Sequence, residues 1–165
     1  MTLPSDIQLR PGTPADGPAL RDLHEASIRA FGISAYSAEE VESWVGVLEP
    51  HRYGEAMTKD GEVFLVAVAA DGALAGFCSY KADEVIGLYV APDRGRQGIG
   101  SMLLAVAEAA VAAAGHSRIR IGASLSGRAF YEAKGYRVVA DKVWKSRGGL
   151  DMAALDMEKL IENSM

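Results

Sequence analysis

Between Arg94 and Ser101 the chain reads RGRQGIGS, a mixture of glycines and arginines suited to one kind of ligand. Gly95, Gly98 and Gly100 have no Cβ to hold an anion away from the main chain. A helix starting near Ser101 would present unpaired N–H groups and a partial positive charge to that anion. Arg94 and Arg96 add guanidinium groups, whose paired donors match phosphate oxygens. The segment is a candidate phosphate cradle, and a plain turn with glycines used for tight packing is the alternative. Spacing narrows the choice. The dinucleotide fingerprint G-x-G-x-x-G fails because Leu103 stands third after Gly100, and a P-loop fails because no Gly-Lys-Ser/Thr closes the run.

Such a cradle needs a strand to deliver it and a helix to receive it. EVIGLYVAP, from Glu84 to Pro92, supplies the strand, and SMLLAVAEAAVAAAG supplies a helix stopped by Gly115. That helix is apolar nearly all round and is expected to be mostly buried. Upstream, EVFLVAVAADGALAGFCSYKA is a hairpin with Asp71-Gly72 in a type I′ turn, so three strands form a meander. Downstream, Arg118 to Ala123 is a strand reached by a right-handed crossover, hence parallel to the one before the loop. Ser126 is expected to cap a short helix, GRAFYEAK, closed by Gly135. Two last strands, Tyr136 to Lys145 and Leu150 to Glu158, flank Gly148-Gly149. Near the start, Ile7 to Arg10 is a short strand, and Asp16 caps a helix carrying Leu20, Leu23, Ile28 and Phe31. Ser37 and Glu40 have capping-box spacing for a second helix that Pro50 ends. His51 to Gly61 shows no clear period and reads as a loop with room for one helical turn.

The stretch LYVAPDRGRQGIGSMLL resembles the acetyl-CoA signature of the GNAT superfamily of N-acetyltransferases. The resemblance extends to SGRAFYEAKGYRVV and to the order of elements over nearly the whole chain. It implies one domain over residues 1–165, of α/β (α+β) class. The sheet would be mixed and mostly antiparallel, of six to seven strands with a parallel central pair, flanked by about four helices. It also implies an acetyl-CoA-dependent N-acetyltransferase working by direct attack in a ternary complex, without metal, on a primary amine of a small molecule. An inactive acyl-CoA-binding sensor, or an enzyme for peptide or protein amines, remains the alternative. One departure from the family pattern Q/R-x-x-G-x-G/A is visible: Gly95 stands where Gln or Arg leads, and Arg94, Arg96 or Gln97 are candidates to replace it.

The same resemblance distributes the roles. Main-chain groups from Gly95 through Gly98, Ile99 and Gly100 to Ser101 would hold the pyrophosphate. Leu88, Tyr89 and Val90 match the strand segment that splays from its parallel neighbour and hydrogen-bonds the pantetheine arm. Glu84 would be the base that leaves the amine neutral, with Asp83 a weaker choice and a solvated carboxylate the plain alternative. A base of this kind is worth about 10² to 10⁴ in rate. An N–H near Leu88 would meet the oxyanion. Tyr131 matches the tyrosine that protonates the leaving thiolate, while Phe130 reads better as core. Ser126, Phe130 and Lys134 would lie along the coenzyme, the last near a phosphate. Phe31, Tyr36, Trp44 and Tyr80 are candidates for the acceptor pocket.

Bulk properties bound the rest. The net charge of −5 argues against nucleic-acid binding and mildly favours a cationic acceptor. Cys78 lies in an apolar run and reads as packing. His24, His51 and His116 have no metal or triad spacing and are expected to be solvated. No signal-peptide core or membrane-length apolar run is present, so a cytoplasmic protein without a membrane partner is expected, with a homodimer left open.

Overall fold

A computed structural model describes residues 3–162 of the chain. Alternating burial drives the sheet: in β2 (Val63–Val68) and β3 (Leu74–Lys81), Phe64, Val66 and Phe77 turn to one face, while Ala67 and Cys78 turn to the other. β4 (Glu84–Val90) completes the meander, and β1 (Gln8–Pro11) adds an outer antiparallel strand against β2. β5 (Arg118–Ser124), β6 (Arg137–Lys145) and β7 (Asp151–Leu160) form the second half, giving the order β1-β2-β3-β4-β5-β7-β6. Seven strands with one parallel pair, β4 with β5, match the expected architecture.

Helices cover both faces. α4 (Ile99–Ala113) packs Ile99, Leu103, Leu104, Ala107 and Val111 onto Cys78, Val85 and Ile119. On the opposite face, α1 (Gly17–Phe31) buries Leu20 and Leu23 against Phe64 and Phe77. α2 (Ala38–Val45) packs Val41, Trp44 and Val45 with Ile28 and Met152. The Ser37–Glu40 capping box forms as read from the sequence, with Glu40 N–H donating to Ser37 Oγ at 3.1 Å and Ser37 N–H to Glu40 Oε1 at 3.0 Å.

Several local expectations give way. His51–Lys59 is a helix, α3, whose one buried residue, Tyr53, joins Leu20, Leu23 and Phe64. Ala56 and Met57 pack beside it, so one turn of apolar spacing is all the sequence offers to read. α2 stops at Val45, ahead of Pro50, because Gly46 turns left-handed at φ +50°. The hairpin turn is not type I′: Gly72 N–H donates to Ala69 O and only Gly72 has positive φ, with Asp71 instead accepting from Ala73 N–H. Asp16 does not cap α1 with its side chain, since Arg10 and the Thr13 N–H hold that carboxylate, each at 2.8 Å. α4 is buried along one stripe only, leaving Ala105, Val106 and Ala109 exposed. Ser124, not Ser126, is the cap ahead of α5 (Arg128–Ala133), accepting from Gly127 N–H at 3.1 Å. Among the described residues there are five α-helices, where about four were expected.

The join between the two half-sheets is the feature that makes a site. β4 and β5 pair only through Glu84 with Arg120 and Val85 with Ile121. Beyond Val85 the strands diverge, β4 continuing along β3 to Val90 and β5 along β7 to Ser124. A bulge helps them part: Ser79 pairs with Gly87 and Tyr80 with Val85, so Ile86 is an extra residue in β4.

Candidate active site

The gap between β4 and β5 opens into a cavity of about 1260 Å³. That exceeds the usual 300–1,000 Å³ of a single-ligand pocket and is room enough for two ligands side by side. At one end lies the glycine loop. Gly98 has φ +80° and is the N-cap of α4 without any side-chain cap, and no acidic residue occupies the first turn. The helical ladder begins with Met102 N–H donating to Gly98 O at 3.0 Å, so the N–H groups ahead of it remain available to an anion. Gly100 lies against Val90 and Phe130, where an added Cβ would make only ordinary contact at 3.4 and 3.6 Å.

Arg94, Gly95, Arg96, Gly98, Ile99, Gly100 and Ser101 all line the cavity, whereas Gln97 does not. Arg94 is committed elsewhere, its Nη2 lying 2.7 Å from Asp6 Oδ2, which lowers the Asp6 pKa through that hydrogen bond. Leu88, Tyr89 and Val90 line the β4 side, and Ser126, Phe130, Tyr131 and Lys134 the α5 side. Tyr131 is 6% exposed, and burial holds its phenol well above the ordinary pKa, which keeps the proton on and makes the group a donor. The Cys78 thiol, fully buried in the core, is pushed up to about 12 by desolvation and is inert packing.

The other end is aromatic. Phe31 and Trp44 line it, but two residues named with them stand apart. The Tyr36 hydroxyl donates to Ala153 O at 2.6 Å and accepts from Leu125 N–H at 2.9 Å, so it ties α2's entry to the β5 end rather than facing the cavity. Tyr80 packs against the α4-side core, because the pleat sends alternate residues of β3 to opposite faces. Glu84 reaches the cavity with its side chain 41% exposed and 3.5 Å from Arg120 Nη2.

Three residues not singled out from the sequence also line this end. Glu62, just ahead of β2, accepts from Ser79 Oγ at 3.2 Å; burial raises its pKa, and the hydrogen bond partly offsets this. His24 is not solvated: its ring lies 4.3 Å from that of Tyr89, Nδ1 is hydrogen-bonded to Tyr53 Oη at 2.9 Å, and Nε2 is buried without a partner among the described residues. Desolvation, aided by the Arg147 charge, lowers the His24 pKa to about 3, so the ring is neutral near pH 7. Its place was legible, since Leu20, His24 and Ile28 share one helical stripe. Arg147, from the β6–β7 loop, is the third. Glu62 and Arg147 carry no local pattern. No three His, Cys, Asp or Glu among the described residues are placed to hold a metal, and no helix among them is long and apolar enough to cross a membrane.

Known proteins share this design. The model of the acetyltransferase (GNAT) domain matches residues 33–160. Among solved structures, a GCN5-related N-acetyltransferase from Rhodopseudomonas palustris is 27% identical with a TM-score of 0.87, over 98% of this chain and 99% of that one. The PaiA N-acetyltransferase of Thermoplasma acidophilum, solved with coenzyme A, is 24% identical with a TM-score of 0.74, over 94% and 99%. YncA of Salmonella typhimurium, a putative acetyltransferase solved with acetyl-CoA, is 17% identical with a TM-score of 0.70, over 98% and 97%. No curated protein matches the chain. With the uncapped α4 terminus, the parted strands and a domain match spanning most of its length, the chain belongs to the GNAT acetyltransferase family.

Proposed function

We propose that the protein transfers the acetyl group of acetyl-CoA to a primary amine of a small molecule in the cytoplasm. The observation that carries this reading is the continuous path from the α4 N-terminus, along the unpaired edge of β4, to Tyr131. Main-chain N–H groups from Gly98 to Ser101 bind the pyrophosphate, and Arg96 and Lys134 supply flanking charge. Main-chain groups of Leu88 to Val90, free of β5, receive the amides of the pantetheine arm and stabilise developing negative charge on the thioester oxygen. Tyr131 gives its proton to the departing thiolate.

Glu49, Glu62 and Glu84 line the cavity; Glu49 is paired with Arg52 and His51, and of the other two the geometry favours Glu62 as the base. Glu84 is solvated and paired with Arg120. Glu62 is shielded, oriented by Ser79, and raised in pKa toward the pH at which a base works best. The cavity's cover of α2 and the β6–β7 loop favours a small acceptor over a protein. Relatives of known fold include proteins named for spermidine and phosphinothricin acetylation, so the fold itself does not choose the amine.

Acetyl-CoA is expected to raise the thermal midpoint of the protein, and an amine panel is expected to yield at least one acceptor that releases free thiol. Binding without turnover of any amine would favour the sensor reading. Absence of a shift at saturating acetyl-CoA would remove both. Sedimentation of the full chain tests the homodimer.

A further inference from the structure

The β6–β7 loop is built to put one arginine at the aromatic end of the cavity. Ser146 Oγ and Ser43 Oγ are hydrogen-bonded in the interior, Gly148 N–H donates to Ser43 O at 2.8 Å, and Leu150 N–H donates to Ser146 Oγ at 3.1 Å. Two glycines permit this close docking. A Cβ on Gly46 would lie 2.5 Å from the Arg147 Cβ, and one on Gly148 would lie 2.6 Å from Ser43 Oγ. Between these contacts, Arg147 Nε donates to Val45 O at 3.0 Å, which fixes the start of the guanidinium, and its two outer nitrogens have no hydrogen-bond partner among the described residues.

Other cations on the cavity wall are accounted for. Arg94 pairs with Asp6, Arg52 with Glu49 and Lys142 with Asp156, while Arg96 and Lys134 belong to the glycine loop and the end of α5. Arg147 pairs with no carboxylate among the described residues, although its charge is felt by His24, Tyr53 and Tyr89. Arg147 is exposed, and a guanidinium fixed at one nitrogen, open to solvent and without a carboxylate partner among the described residues, adds little to the fold and is a good receptor for two oxygens in a plane. The unpartnered Nε2 of His24 adds a polar contact on the same wall.

Building on the acetyl-transfer reading, we propose that Arg147 anchors a carboxylate of the acceptor, so that the substrate is an amino acid or another small amine bearing a carboxylate. Glu62, also on the wall, meets the opposite charge, the amine. This revises the mild preference for a purely cationic acceptor drawn from net charge, because the local group outweighs the distant ones.

The test uses the full chain with acetyl-CoA and matched acceptor sets: an amino acid, its carboxamide and its decarboxylated amine, each scored by thiol release. The acid is expected to exceed both analogues about 100-fold in kcat/KM, the range for a charge-assisted bidentate contact. Arg147→Gln is expected to bring that ratio near one, and Arg147→Lys to restore part of it; circular dichroism and thermal midpoints establish that both variants fold. Equal use of acid and amide by the unaltered chain overturns the anchor and leaves acetyl transfer standing. So does a preference that persists in Arg147→Gln, or a panel in which only amines lacking a carboxylate react; a panel in which no amine reacts overturns the anchor and favours the sensor reading instead. Failure of acetyl-CoA to shift the thermal midpoint overturns acetyl transfer itself.

Discussion

At the scale of single residues, the proposed chemistry rests on a proton donor and a proton acceptor whose surroundings push both pKa values upward. Tyr131→Phe removes only the donor and is expected to cut kcat about 10²-fold or more at near-normal acetyl-CoA binding, checked by steady-state kinetics. Glu62→Gln is expected to lower kcat by a similar factor, and Glu84→Gln by less than about tenfold. Because Glu62 accepts a proton only when ionised, the rate should rise with pH through its folded pKa, above the ordinary 4.5, and Glu62→Gln should flatten that limb. A profile unchanged in Glu62→Gln but flattened in Glu84→Gln would return the base to the strand entry. Tyr131 could be picked from the sequence because FYEAKGY surrounds it with a recognisable segment. Glu62 could not: a lone glutamate before a strand has no pattern, and only the fold brings it beside Ser79.

At the scale of elements, the loop into α4 separates two kinds of glycine. Gly98 is left-handed at φ +80°, so Gly98→Ala is expected to cost roughly 1 kcal/mol of backbone strain and to weaken acetyl-CoA binding by disturbing the helix start. Gly95 is extended at φ −65°, with nothing nearer than 3.7 Å to an added Cβ, so Gly95→Gln is expected to leave the thermal midpoint within about 1 °C. Thermal unfolding with and without acetyl-CoA checks both. The family's missing leading side chain is thus an open position and not a steric prohibition. Elements governed by short-range chemistry were readable: the Ser37 capping box, the Gly115 stop and the meander all lie within a few residues of their cause. α3 was not, because only Tyr53, Ala56 and Met57 face the core from it, and the partners that bury them come from α1 and the sheet. The serine that caps the turn before α5 was misplaced by two positions for a related reason: Ser124 and Ser126 are hydrogen-bonded at 3.0 Å, and either has the right chemistry.

At the scale of the whole molecule, His24 links the site to folding. Its pKa falls from 6.5 unfolded to about 3 folded, so the unfolded chain binds the extra proton first. Its contribution is complete above pH 6.5 and is lost as pH falls toward 3, at up to about 1.4 kcal/mol per pH unit. Chemical denaturation across pH 7 to 4 should therefore show a declining midpoint that flattens in His24→Leu. Asp16, lowered from 3.8 to about 2 chiefly by its hydrogen bond to Arg10, adds a second loss only as pH falls below 3.8 toward 2, and a weaker one because the pair is partly solvated. The two half-sheets share just two register pairs, so beyond Val85 the β4–β5 seam has no pairing, and it is shorter than the ladder between any other neighbouring strands. The amide-bearing arm proposed for that seam would act, in effect, as an eighth strand supplied from outside the gene. Linkage then adds about 2.7 kcal/mol of stability at a hundredfold excess over Kd. The lifetime of the protein in a cell is then expected to follow acetyl-CoA supply: a starved cell would hold a more readily unfolded, faster-degraded enzyme, and a fed cell a longer-lived one.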